Sequence, residues 1–219
     1  MSARPALVVA VAGPPGSGKT TLSRALAERL GAPVLSYDAY EEITGWPPER
    51  VSAWMARGAP LDEIPVPGLA ADLARLRNGE PVRDREGGRM LRLNGTVAGR
   101  PVIVFDTLLG RAHAGTGPLI DHLIWLDLPL DVALARKLRS FTGEARRDPS
   151  GAPGLLHALD AYLCRYDALL HPTYLLQRDR VRPGADKILG LGTLADHLAE
   201  ALGALTALVA PAASPSEPH

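Results

Sequence analysis

The apolar positions along the chain fall into two rhythms that alternate from end to end. Leu7-Val-Val-Ala-Val-Ala12 is an unbroken apolar run rich in β-branched residues, the pattern of a parallel strand buried on both faces. From Lys19 to Leu30 the period changes. Leu22, Leu26 and Leu30 recur every fourth residue, which predicts an amphipathic helix, and Gly31 is placed to end it. Pro33 to Ser36 predicts a short second strand, and helices are predicted over Pro47 to Arg57 and Gly68 to Arg77. Pro101 to Phe105 and His122 to Leu126 are two further apolar strands, with a weak last strand at Lys187 to Leu189.

Between these runs the pattern predicts a helix over Asp131 to Phe141, a Gly/Pro/Arg-rich loop over Thr142 to Gly154, and two helical segments across Leu155 to Arg180. A helix over Leu194 to Leu208 closes the pattern. The polar stretch Pro81 to Val97, broken by Gly87-Gly88, reads as a β-hairpin or flap. Strands alternating with helices predict an α/β fold: a parallel sheet covered on both faces, in one domain over residues 1–208, with a disordered tail over 209–219.

Composition narrows the function only slightly. Lys+Arg and Asp+Glu are equal at 24 each, so the chain lacks the basic imbalance of a non-specific nucleic-acid binder. No apolar run approaches the ~20 residues of a membrane span, and the N-terminal one runs into Gly-Pro-Pro-Gly instead of a cleavage site. The single cysteine, Cys164, falls in a helical pattern and is expected to be a buried small hydrophobe in a cytoplasmic protein.

Candidate chemistry begins at Gly13-Pro14-Pro15-Gly16-Ser17-Gly18-Lys19-Thr20, which satisfies G-x-x-x-x-G-K-[ST] at every fixed position. A buried strand enters it and a helix leaves it. The glycines let successive backbone N–H groups turn toward an anion, and the helix adds its positive end. This predicts a nucleotide phosphate site reaching to Thr21, with Lys19 on the β- and γ-phosphates and Thr20 on Mg²⁺.

Asp106, ending an apolar strand, suits the second, metal-side acid of a P-loop site, though a strand-end Asp also caps turns. Asp38, at the end of the second strand, could serve as base for an acceptor hydroxyl or simply close a loop. Arg136 and Arg139 are three residues apart on one helix face with Lys137 turned away, and Arg146 and Arg147 follow in the loop, so residues 139–154 could form a lid. Arg83, Arg85, Arg89 and Arg92 could face an anionic acceptor or form a solvated hairpin. Tyr40, Arg111 and His113 are further acceptor-side candidates.

The order of these features resembles the uridine kinase/phosphoribulokinase-like family of P-loop kinases. Asp38-Ala-Tyr40 is similar to the family's D-S-F-Y segment, and Asp131-Val-Ala-Leu-Ala-Arg136-Lys-Leu-Arg139 to D-V-R-L-A-R-R-I-R. Gly184-Ala-Asp186-Lys-Ile-Leu is similar to its A-D-x-I-I strand. Val104-Phe-Asp106-Thr-Leu-Leu-Gly110 sits where the family has V-x-x-E-G, so Asp stands for Glu.

The resemblance covers most of residues 7 to 205. It implies a three-layer α/β/α fold with about five strands, ATP and Mg²⁺ as cofactors, Asp38 as catalytic base, arginines 136 and 139 reaching ATP, a small-molecule hydroxyl acceptor and a homo-oligomer. The D-F-D and Y-D-(F/Y)-x-x-H-x-R segments that hold and read uridine are replaced by Pro65-Val-Pro67 and Arg83-Asp-Arg-Glu-Gly-Gly-Arg89. Uridine specificity therefore does not transfer. The competing class is a nucleotide-driven switch with no acceptor, although the N-K-x-D segment of small GTPases and the L-S-G-G-Q of transport cassettes are both absent.

Overall fold

The computed structural model describes residues 4–209. Its elements, in chain order, are β1 (Leu7–Ala12), α1 (Lys19–Leu30), β2 (Val34–Ser36), α2 (Pro48–Ala56), α3 (Leu69–Arg77), β3 (Val82–Arg83) and β4 (Met90–Leu91). These are followed by β5 (Thr96–Val97), β6 (Arg100–Thr107), β7 (His122–Leu126), α4 (Leu130–Arg147), α5 (Ala152–Cys164), α6 (His171–Val181), β8 (Lys187–Leu189) and α7 (Leu194–Val209).

Five parallel strands form the sheet in the order β2-β6-β1-β7-β8, with β5 paired antiparallel to β6 at one end. β1 is central, flanked by β6 and β7. That position explains why its six residues are all apolar: a strand covered on both faces has no solvated side for polar residues. Its side chains divide between two cores. Val8, Ala10 and Ala12 join Phe105, Trp125, Leu69 and Trp54, whereas Leu7, Val9 and Val11 join Leu22, Leu26, Val104 and Leu205. Each such core leucine contributes about 1.5–3 kcal/mol by burial, and trimming Leu22 or Leu26 to Ala should cost about 2–5 kcal/mol. The sheet between two helical layers is the three-layer α/β/α fold.

Parallel register aligns the strand ends that carry chemistry. Asp106 is the register partner of both Val11 on β1 and Ser36 on β2, so the P-loop after β1, Asp38 after β2 and Asp106 at the end of β6 emerge at one edge. Ligands of open parallel sheets bind at this edge.

Two expectations are corrected. The stretch predicted as a loop, Thr142 to Gly154, is mostly helix: α4 runs through Arg147 and α5 begins at Ala152, leaving a short connection at Asp148–Gly151. The reason is local. Gly143 inside a helix costs only about 1 kcal/mol, and Pro153 occupies the first turn of α5, where a missing N–H does no harm. Cys164, expected to be buried, is an exposed free thiol at the end of α5. The predicted flap resolves into a two-stranded hairpin, β3 with β4, and the separate strand β5. The tail assigned to disorder lies outside the described residues from residue 210 onward. No helix among the described residues is long and apolar enough to cross a membrane.

Candidate active site

The loop between β1 and α1 is built to hold an anion. Gly16 and Gly18 have φ of +86° and +96°, values that L side chains rarely adopt, and these turn the backbone around the loop's hollow. Gly18 caps α1 without a side-chain hydrogen bond, so the cap residue leaves the first-turn N–H groups to another acceptor. At Gly16 the backbone of α4 lies so close that a Cβ would overlap the carbonyl of Ala133. The loop is thus wedged against the start of α4.

Lys19 is 8% exposed. Its ammonium lies 3.3 Å from Oδ2 of Asp38 and 3.5 Å from Oδ1 of Asp106. Asp106 is 2% exposed, and its Oδ1 keeps that ion pair without a hydrogen bond. Asp38 differs, with half of its side chain open to solvent. One carboxylate is sequestered beside the P-loop lysine and the other faces outward. The hydroxyl of Ser17, buried inside the loop, also has no hydrogen-bond partner. Two buried oxygens without hydrogen bonds, beside a lysine ammonium and the start of a helix, suit a phosphate chain with a divalent cation.

Ser17, Lys19 and Asp38 open onto a cleft of about 650 Å³, whose lining does not include the buried Asp106. Pro15 to Leu22 line its floor, with Asp38, Leu108 and Arg136 on the walls. Arg136 Nη1 also donates to the carbonyl of Ser17 at 3.3 Å, tying α4 to the loop. Sequence spacing misplaced two neighbours. Lys137, expected to turn away, lines the cleft with Arg136 and Ser140, whereas Arg139 lines an adjacent groove with Gly143, Arg146 and Arg147. At 100° per residue, positions 136, 137 and 140 share one arc and position 139 falls outside it. The segment Gly192, Thr193 and Leu194 with His197, after β8, closes the far end and was not anticipated. His197 is fixed there by a 2.9 Å hydrogen bond between Nε2 and the carbonyl of Gly190.

A second cavity, of about 330 Å³, adjoins the first, and Pro15 and Leu108 line both. Trp46, Trp54, Leu61, Ile64, Leu170 and Tyr174 are among its walls. Trp46 and Trp54 meet edge to face at 6.3 Å, and the indole N–H of Trp54 is bonded to the carbonyl of Pro60 at 2.9 Å. Gln177 on α6 fixes the shared wall. Its side-chain N–H donates to the carbonyls of Leu108, at 2.6 Å, and Gly13, at 3.3 Å. Sequence reading missed this cavity. The two tryptophans eight positions apart were its only local signal.

The acceptor-side candidates lie elsewhere and have other partners. Tyr40 donates to Asp72 at 3.0 Å beneath the guanidinium of Arg85, 3.9 Å from its ring centre. Burial, then the bond to Asp72, pushes its phenol up to about 12. Arg85 is also bonded to the carbonyl of Pro67, and Arg89 pairs with Asp84 at 3.5 Å. Arg83 and Arg92 are exposed on the hairpin side. Arg111 is spent on Asp186, at 2.7 Å, and on the carbonyls of Gly184, Asp121 and Ile120. His113 is buried against Thr116 at 2.9 Å, and burial lowers its pKa. None of these side chains lines the cleft or the cavity beside it.

Comparison with known proteins agrees with the P-loop reading. The family model of an AAA domain matches residues 8–114. The chain is 24% identical to the mouse uridine-cytidine kinase-like 1 over 202 residues, covering 88% of this chain and 36% of that protein. It is 32% identical to the cytidylate kinase of Halobacterium salinarum over 130 residues, covering 59% and 56% of the two chains. The chain thus spans between a third and three-fifths of these relatives' lengths. Among solved structures, the shikimate kinase of Aquifex aeolicus overlays 93% of this chain and all of its own, with a TM-score of 0.47 and 14% identity. The chain is thus similar to an AAA domain over its first half and to a uridine-cytidine kinase-like protein along most of its length.

Proposed function

We propose that this protein is a small-molecule kinase that transfers the γ-phosphoryl group of ATP to a hydroxyl group. The observation that carries the reading is Lys19, placed between a buried carboxylate and an open one. A nucleotide switch needs a P-loop and a metal-side acid. It has no use for a second carboxylate facing away from the buried side, toward space where an acceptor can enter.

The residues divide the work as follows. The N–H groups of the loop over Gly13 to Thr21, apart from that of Ser17, which is bonded to the Pro14 carbonyl, hold the phosphates, and Lys19 offsets the charge on the β- and γ-oxygens. Thr20 and Asp106 would hold Mg²⁺, which when bound neutralises charge on the β- and γ-oxygens. Arg136 and Lys137 add cations from α4. Arg139, Arg146 and Arg147 form a cationic stripe beside the cleft that closure of α4 and α5 would bring onto the phosphates. Asp38 accepts the proton of the acceptor hydroxyl as its oxygen bonds to the γ-phosphorus. The bond to the β–γ bridging oxygen breaks, and ADP leaves.

The test is ADP release from Mg-ATP over a panel of nucleosides, sugars, hydroxy acids, amino alcohols and nucleoside monophosphates, with product mass confirmed. An alcohol that stimulates ADP release and gains the mass of one phosphoryl group supports the reading. Stimulation by monophosphates alone would make the acceptor a phosphate. ATP binding with no stimulated turnover would favour the switch.

A further inference from the structure

The cavity beside the P-loop has the wrong chemistry for the acceptors the hairpin arginines would suggest. Among the described residues, its charged lining residues are Glu41 and Arg165. Glu41 is engaged with Thr44 through both the backbone N–H and the hydroxyl, and Arg165 is exposed at the edge. A sugar phosphate or nucleotide would find no cluster of cations there. Neutral polar lining groups are equally committed. Thr173 donates to the carbonyl of Leu169 at 2.7 Å, and Gln177 is spent on Gly13 and Leu108. A hexose would bury several hydroxyls without partners, each costing about 1–3 kcal/mol.

One lining group is different. Tyr37 is 1% exposed, and its phenol oxygen is buried with no hydrogen-bond partner among the described residues. Burial, with Glu41 and Asp38 nearby, raises its pKa, so it stays an O–H donor. Buried hydroxyls are nearly always bonded in a finished structure, and this unpartnered one belongs to a residue of the cavity wall, which points to a ligand. Tyr37 also directly precedes Asp38, the proposed base.

Resting on the kinase reading, we propose that the acceptor is a small alcohol with a largely apolar, aromatic body. It lies between the Trp46–Trp54 pair and Leu170, receives a hydrogen bond from Tyr37, and presents its hydroxyl past Pro15 to Asp38. The volume of about 330 Å³ falls at the small end of ligand sites, which run to about 1,000 Å³. The transfer is the one already described, with ATP as donor.

The probe is 3-phenylpropan-1-ol, set against glucose, uridine and cytidine monophosphate. Binding is read from tryptophan fluorescence, because Trp46 and Trp54 line the cavity. Turnover is read separately as ADP release. Saturable quenching by phenylpropanol, with a higher kcat/KM than the polar probes, is the expected result. Tyr37→Phe should weaken binding about five- to tenfold without lowering the melting temperature, because the lost hydroxyl has no partner in the free protein. A structural tyrosine would show the opposite pair. Thr173→Phe, which fills the cavity, should abolish quenching while leaving ATP binding intact.

If phenylpropanol gives no quenching in protein that binds ATP, the proposal is overturned. If a polar probe is phosphorylated faster and Thr173→Phe has no effect on it, the proposal also fails while the kinase reading stands. Quenching that Thr173→Phe abolishes, with no acceptor stimulating ADP release, supports the cavity assignment and removes the kinase reading.

Discussion

The ammonium of Lys19 lies 3.3 Å from the carboxylate of Asp38, although the lysine is buried at a helix start and the aspartate is half open to solvent. The pair joins the phosphate loop to the end of β2, and the two members should fail differently. Asp38→Asn keeps the shape and loses only the proton acceptor, so nucleotide binding should persist while transfer falls at least ~10²-fold. Lys19→Ala should instead weaken binding of the nucleotide itself. Titration with a fluorescent ATP analogue, alongside ADP release, separates the two, and near-normal transfer by Asp38→Asn would remove it as base.

Gly16 is the point where the loop meets α4. Its φ of +86° and the overlap of any Cβ with the Ala133 carbonyl oppose every side chain there. Gly16→Ala should lower stability by at least about 1–3 kcal/mol and weaken ATP binding, because loop and helix must separate to admit the methyl group. Gly18→Ala has the strained φ of +96° without the overlap, nothing lying within 4 Å of its added Cβ. It should cost less. Denaturant midpoints of the two variants check the order.

The sheet was legible because burial on both faces leaves an unbroken apolar run, as at Leu7–Ala12 and His122–Leu126. The phosphate loop was legible because its spacing is fixed by backbone turns within eight residues. Long-range geometry was not. The apolar cavity takes Tyr37, Trp46, Leu61 and Tyr174 from segments that only the fold brings together, and each reads alone as core. Arg111 looked available because it follows a strand, yet the residues just before β7 and before β8 surround it with acceptors. Lys137 was misplaced for a geometric reason: three-residue spacing identifies a shared helix face without showing which arc faces the cleft.

Gln177 holds the carbonyls of Gly13 and Leu108, 164 and 69 positions away. Gln177→Leu leaves both oxygens without that donor at a buried position and should cost about 1–3 kcal/mol. For a chain of this size each kcal/mol is worth about 2–4 °C in melting temperature. Because α6 also lines the apolar cavity, the variant should raise the acceptor KM more than the KM for ATP. Equal effects on both would mean that Gln177 supports the sheet edge generally and does not set the shared wall.

Burial also lowers the pKa of two histidines, His113 near Asp62 and His122 near Asp186 and Arg111. For each, the folded value lies below the ordinary 6.5, so the unfolded chain takes up the proton first as pH falls. Their contribution to stability is therefore complete above about 6.5 and is lost as pH drops below it, with a slope of up to about 1.4 kcal/mol per pH unit for each histidine. Asp186 titrates in a separate window. Burial pushes its carboxyl up, but Arg111, the Leu123 N–H and His122 together outweigh that and hold it below the usual 3.8, so its loss comes only in stronger acid. Unfolding free energies measured by denaturant between about pH 5 and 7 should fall steadily on the acid side. In His113→Gln part of that slope should vanish, and an unchanged slope would mean that His113 is already as easily protonated in the fold as in the open chain.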